Sequence, residues 1–155
     1  MITFDPPVLI CPLSNVAPGS IIRVAGRIGF CGQSPEDPQQ NLMLIYTESP
    51  RFRFRIPDQS ITVLNFGSDL VIRPNLPSFQ FEHVPAGQDS TSELLIVDGA
   101  PKIVMHAEGG STRMLDLNSG KTGPAARNIA SAFTIWEVGI ELSFGRFFPL
   151  MSLSE

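Results

Sequence analysis

The chain has 155 residues, 43% of them hydrophobic and 17% charged, with a formal net charge of −4 at pH 7. This length fits a single domain, 1–155, which can bury about two-thirds of its unfolded surface without metal or disulfide crosslinks. The acidic balance argues against nucleic acid as a partner. The first residues contain no basic leader, and no segment reaches the ~20 apolar residues of a membrane span, so we expect a cytoplasmic protein that does not enter a membrane.

Short apolar segments, interrupted by 14 prolines and 13 glycines, predict strands and leave little room for long helices. In chain order the predicted strands are 8–13, 21–30, 42–46, 51–56, 61–66, 70–73, 79–84, 93–98, 102–108, 112–118 and 133–144. Residues 98–101 predict a hairpin turn. One short helix is predicted near 124–132, where a proline precedes several alanines. The predicted fold is therefore an all-β, antiparallel two-sheet sandwich resembling a jelly roll, with a closed β-barrel as the alternative.

Residues 51–56 read Arg-Phe-Arg-Phe-Arg-Ile, the clearest alternation in the chain. Successive side chains of a strand point to opposite faces, so Phe52, Phe54 and Ile56 should enter a core. The other face then carries a cationic row, which we call the arginine stripe: Arg51, Arg53 and Arg55. Arg23 and Arg27 extend it if their strand is a neighbour.

Like charges in a row repel one another unless acids or an anionic ligand lie opposite. One interpretation is a cross-strand ladder with carboxylates such as Glu48, Glu137 or Glu141. The other is a binding surface for an anionic group on a partner protein, a phosphate or an acidic sugar. Charge alone does not decide between them.

The only two histidines suggest a second candidate site. His106 and Glu108 share a face of the strand 102–108, so a His–carboxylate pair is available for binding or catalysis. His83 shares a face with Phe79 and Phe81, which favours a packed position. Spacing gives no support for metal ligation by these residues, and we expect neither a metal nor another cofactor.

The two cysteines are too few for a disulfide framework, and two buried thiols are favoured over a bridge between Cys11 and Cys31. Cys31 is a conceivable nucleophile if a histidine activates it. Trp136, the only tryptophan, lies on the uniformly apolar face of the last predicted strand and is expected to be a core anchor. A sugar-stacking role is the alternative for this ring.

The chain ends in a strongly apolar segment that is either core or an assembly surface. We expect it to form contacts between copies, through Phe147, Phe148, Leu150 and Met151. The predicted function is a non-catalytic protein-binding or self-assembly module of an inhibitor-like, structural or capsid-associated kind, acting on another protein or as a homo-oligomer. The alternatives are a small lectin-like protein that binds carbohydrate or another anionic ligand, and an enzyme that uses the His106/Glu108 pair.

Overall fold

A computed structural model describes residues 8–47, 51–83, 93–107, 111–125 and 130–154. Its strands are β1 (Leu9–Pro12), β2 (Ile21–Val24), β3 (Arg27–Ser34), β4 (Asp37–Thr47), β5 (Arg51–Arg55), β6 (Thr62–Gly67), β7 (Leu70–Pro74), β8 (Phe79–His83), β9 (Leu94–Val97), β10 (Ala100–His106), β11 (Thr112–Asp116), β12 (Thr122–Pro124), β13 (Ala130–Phe133), β14 (Trp136–Leu142) and β15 (Arg146–Leu153). Three 3₁₀ turns lie at Leu13–Asn15, Leu76–Ser78 and Ser143–Gly145. The predicted all-β class is confirmed.

The strands form two sheets. The larger has twelve strands in the order β1-β6-β2-β3-β4-β5-β10-β9-β13-β8, with β11 added beside β10 and β12 beside β11. The smaller sheet has the order β15-β14-β7. The ladders are antiparallel except between β5 and β10, which run parallel.

This arrangement is consistent with the predicted sandwich and does not support the closed barrel. Within the described ranges, β1 and β8 end the strand order of the larger sheet and do not pair with each other. The sheet does coil, so that β12 approaches β3. A single parallel bridge joins Gln33 to Lys121 there, and the Gln33 N–H donates to the Gly120 carbonyl oxygen at 2.9 Å.

Apolar side chains fill the space between the sheets and also cover the opposite face of the larger sheet. The central core combines Phe30, Leu44, Phe52 and Met105 of the larger sheet with Trp136, Val138, Met151 and Leu153 of the smaller one. The outer core, on the opposite face, contains Leu13, Val16, Ile22, Cys31, Met43, Ile45 and Val63. β4 contributes to both cores, as its continuous apolar run predicts for a central covered strand.

The predicted strand 21–30 is wrong, because it is two strands joined by a tight turn. Ala25 and Gly26 both have positive φ, 48° and 75°, and the chain reverses there from β2 into β3. The reversal also changes which side chains share a face. Ile22 belongs to the outer core and Phe30 to the central core, although a single strand would place them together.

The predicted helix near 124–132 is also wrong wherever it can be examined. Pro124 ends β12, and Ala130–Phe133 forms β13 between β8 and β9; positions 126–129 lie outside the described residues. Alanine favours a helix by only a few tenths of a kcal/mol per residue over ordinary residues. Ladder hydrogen bonds on both sides of β13 and the complete burial of Ala132 outweigh that preference.

No helix within the described ranges is long and apolar enough to cross a membrane.

Candidate binding surfaces

The arginine stripe adopts the predicted alternation over the side chains that the structure describes. Phe52 is fully buried in the central core and Phe54 packs against it, while Arg53 and Arg55 are exposed. The side chain of Arg51 lies outside the described set. Ile56 follows the end of β5 and is 58% exposed, so its predicted place in the core is wrong.

The strands beside β5 determine what surrounds these arginines. Arg53 lies opposite Ile45 of β4 on one side and His106 of β10 on the other, and Arg55 lies opposite Met43. Directly paired residues share a face of a sheet. Arg53 and Arg55 therefore stand on the outer face of the larger sheet, at the margin of the outer core.

Arg27 joins this face and Arg23 does not. Arg27 pairs with Val24, which packs against the outer core, whereas Arg23 pairs with Ile28, which packs against the central core. The turn between β2 and β3 separates the two arginines, which a single strand would have kept together. The described stripe is thus Arg27, Arg53 and Arg55.

Two of the three carboxylates predicted to neutralise the stripe lie elsewhere. Glu137 and Glu141 lie on β14 of the smaller sheet, and Glu48 is outside the described residues. Arg53 and Arg55 form no ion pair with any residue of the described ranges; two pairs found there join Lys102 to Asp116 (4.0 Å) and Arg113 to Glu36 (3.9 Å). Arg53 and Arg55 are therefore candidates for contact with an anionic group.

The His106/Glu108 pair stays a prediction, whereas the surroundings of Cys31 do not favour a nucleophile. His106 is only 6% exposed, and Glu108 lies outside the described residues. Burial raises the pKa of the Cys31 thiol to about 12, so it is not a thiolate nucleophile at neutral pH. Both cysteines are free thiols, and the described residues contain no group of three potential metal ligands.

The apolar C-terminal segment pairs within the chain, as β15 along β14. Met151 is buried in the central core, Leu150 packs against that core, and Phe147 and Phe148 are half-buried. The Arg73 guanidinium lies 4.0 Å from the centre of the Phe147 ring, a cation–π contact that covers part of it. Much of the predicted interface is therefore occupied by the chain's own smaller sheet.

Among the described residues, four exposed large apolar side chains lie on and beside β8, the last strand in the order of the larger sheet, and the sequence does not predict this group. Phe81 is 76% exposed, Leu76 74%, Phe79 45% and Ile135 43%. We call these four residues the β8 patch. Phe79 and Phe81 are exposed because β8 is an edge strand with β13 as its only neighbour among the described strands. The packed core or rim position expected for His83, which shares their face, stays a prediction, since the side chain of His83 lies outside the described set.

Two chain segments that connect the sheets fix the β8 patch. The link from β7 to β8 carries Leu76, and the link from β13 to β14 carries Ile135. The Asn75 N–H donates to the Ile135 carbonyl oxygen at 2.9 Å, and the Ile135 N–H donates to Ser78 Oγ at 3.1 Å. These bonds tie the two links together at the start of β8.

Aromatic contacts continue the patch along the sheet. The ring of Phe79 lies 5.1 Å from that of Phe133, its partner on β13, and 6.4 Å from that of Phe81. Phe133 packs against the central core. The patch is therefore a surface extension of the core, in which burial decreases from Phe133 to Phe81.

Two pockets among the described residues lie near these surfaces, one beside Phe54 of β5 and one beside the β8 patch. One of about 320 Å³ is lined by Phe54, Ile56 and the Arg113–Glu36 ion pair, among others, and one of about 360 Å³ by Asn75, Ile135 and neighbours. These volumes are at the lower end of those of small-molecule sites. Neither pocket is lined by Arg53, Arg55 or His106.

Comparison of the chain with protein-family models, with curated proteins and with solved structures gave no match.

Proposed function

We propose that the protein is a non-catalytic module that binds another protein, or a second copy of itself, through the β8 patch. The observation that carries this proposal is the exposure of four large apolar side chains on and beside β8, which has a neighbour on one side only among the described strands. With on the order of 200 Å² for a full-size side chain, the exposed fractions amount to roughly 450 Å² of apolar surface. Contiguous patches of about this size on folded chains are often functional.

The chemistry of the edge strand supports the same proposal. An edge strand presents unpaired N–H and C=O groups, and proteins usually protect it with charges, prolines or short length. β8 is five residues long and includes Glu82, but its first three residues, 79–81, read Phe-Gln-Phe and carry no charge. This uncharged part favours addition of another strand, with backbone hydrogen bonds for affinity and side chains for specificity.

The opposite edge of the larger sheet is a weaker candidate. β1 exposes Leu9 and Ile10, but these adjacent residues of a strand point to opposite faces and form no continuous patch. The β8 patch instead gathers side chains from a strand and two links on one margin. This contrast makes β1 a natural control surface.

The carbohydrate-binding alternative has less support from the aromatic residues. Trp136 is buried in the central core, as expected for a core anchor, and Tyr46 is half-buried with its ring 5.4 Å from that of Phe52. Sugar rings stack on exposed aromatic faces, and these two side chains do not offer one. Among the described side chains the exposed rings are those of Phe79 and Phe81, which lack the polar groups that would bind sugar hydroxyls.

Site-specific photo-cross-linking tests the proposal. A benzophenone amino acid replaces Phe81 in one variant and Ile10 in a matched control, each expressed in the cells that make the protein. We expect the position-81 variant to give one discrete protein adduct and the position-10 variant to give none. A position-81 variant without an adduct, or an adduct only from position 10, would contradict the proposal.

A further inference from the structure

We infer that the occupant of the β8 patch is a second copy of this chain, with the two β8 strands paired antiparallel across a two-fold axis at Gln80. This inference rests on the proposed function and specifies its partner. Among the described strands none pairs with the outer side of β8, and the hydrogen-bonding groups on that side, which repeat at strand spacing, fit an added strand. The sequence of β8 indicates that the added strand is β8 of a second copy.

Residues 79–81 read the same in both directions. With Gln80 on the axis, Phe79 of one copy lies opposite Phe81 of the other, and Gln80 lies opposite its own counterpart. Phe79 and Phe81 share a face, so the pairing brings four phenyl rings together on that face. Aromatic cross-strand pairs stabilise strand pairing more than alanine pairs do.

Charge is compatible with this register. Each chain carries a net charge of −4, so two copies repel one another at long range and need an uncharged contact. The first three positions of β8, residues 79–81, are uncharged, and Glu82 is the fourth. The next residue, Glu82, would lie opposite Ser78 of the second copy, so the acid does not meet itself across the axis.

The area of the β8 patch determines how tightly the two copies are expected to bind. Roughly 450 Å² from each copy gives about 900 Å² of apolar contact, below the ~1,200 Å² at which standard stable interfaces begin. Strand pairing adds backbone hydrogen bonds to this contact. We therefore expect a reversible dimer, populated in the micromolar range and not an obligate one.

Light scattering on purified full-length protein tests the dimer. The mass should rise with concentration from 16.9 kDa toward twice that value. Gln80→Lys and Gln80→Glu each place like charges opposite one another on the axis, and should weaken self-association at least about tenfold. Gln80 is exposed, so both variants should keep the thermal midpoint of the wild type.

The decisive sample is an equimolar mixture of the two variants. Opposite charges then meet on the axis, and the mixture should recover the wild-type concentration dependence. Ile10→Ser on β1 is the matched control, because it removes an equally exposed apolar side chain and should leave the dimer intact.

Three results would overturn the inference: a wild-type mass of one chain at all concentrations up to about 1 mM, single Gln80 variants that associate like the wild type, or loss of the dimer in Ile10→Ser. A monomeric wild type whose position-81 variant cross-links to a different protein would refute the second copy as partner. That result would leave the proposed function standing. Monomeric protein without any adduct would refute both.

Discussion

Cys31 shows how one residue's surroundings set its chemistry. It lies on β3 in the outer core, without exposed surface, and burial raises the pKa of its thiol from 9.0 to about 12. In the unfolded chain the thiol regains its ordinary pKa. Between these two values the folded state therefore holds the proton that the unfolded state has lost, and the free energy of unfolding falls as pH rises.

We expect this fall in the free energy of unfolding to be measurable by comparing the wild type with Cys31→Ala at several pH values. At pH 8 the variant should be less stable than the wild type, because it loses packing in the outer core. As pH rises above 9, the difference in free energy of unfolding between the wild type and the variant should narrow by at most about 1.4 kcal/mol per pH unit, because the variant lacks the titrating thiol. Urea unfolding of both proteins at several pH values measures this difference; parallel pH profiles would contradict the assigned burial.

At the residue scale, alternation predicts which face a side chain takes and does not predict whether that face is covered. The burial of Phe52 and the exposure of Arg53 follow from the pattern because β5 lies inside the larger sheet. The same Phe-x-Phe pattern in β8 leaves Phe81 exposed because β8 lies at an edge. The position of a strand within its sheet depends on long-range pairing, which local sequence does not encode.

At the element scale, two hairpins share one turn geometry with different residues. Ala25 and Gly26 have φ of 48° and 75°, and Asp98 and Gly99 have φ of 52° and 76°. Each pair forms a two-residue loop between paired strands, with the positive φ at both positions that defines a type I′ turn. Asp tolerates this region better than Ala, because its short polar side chain can hydrogen-bond locally.

Substitutions at the first position of each turn give paired predictions. Ala25→Asn should raise the free energy of unfolding by about 1 kcal/mol, because it relieves left-handed strain at an exposed position. Asp98→Ala should lower it by a similar amount. Urea unfolding measures both changes; a loss of stability in Ala25→Asn would show that the turn does not carry this strain.

The two turns also mark what sequence can predict about elements. Asp98-Gly99 is a recognisable hairpin signal. Ala25-Gly26 is not such a signal, so the predicted strand 21–30 includes both residues of the turn. The helix near 124–132 failed for the opposite reason. Its alanines favour a helix locally, but β8 and β9 supply partners on both sides of β13.

At the scale of the whole molecule, the two sheets share a core but do not cover each other equally. The smaller sheet has three strands against twelve in the larger one, and the larger sheet compensates by coiling and by building an outer core. β8 is the last strand in the order of the larger sheet, and it starts where hydrogen bonds join the two links between the sheets. The composition indicated an all-β sandwich, but the strand order, and with it the β8 patch, could not be derived from segments read one at a time.

The central claim is that β8 of a second copy of this chain covers the edge of β8, and hydrogen–deuterium exchange of purified protein at low and high concentration tests it most directly. The account predicts that a peptide spanning 79–83 exchanges more slowly at high concentration, while a peptide spanning 9–12 at the opposite edge is unchanged. Equal exchange of 79–83 at both concentrations, or protection that appears only at 9–12, would contradict it.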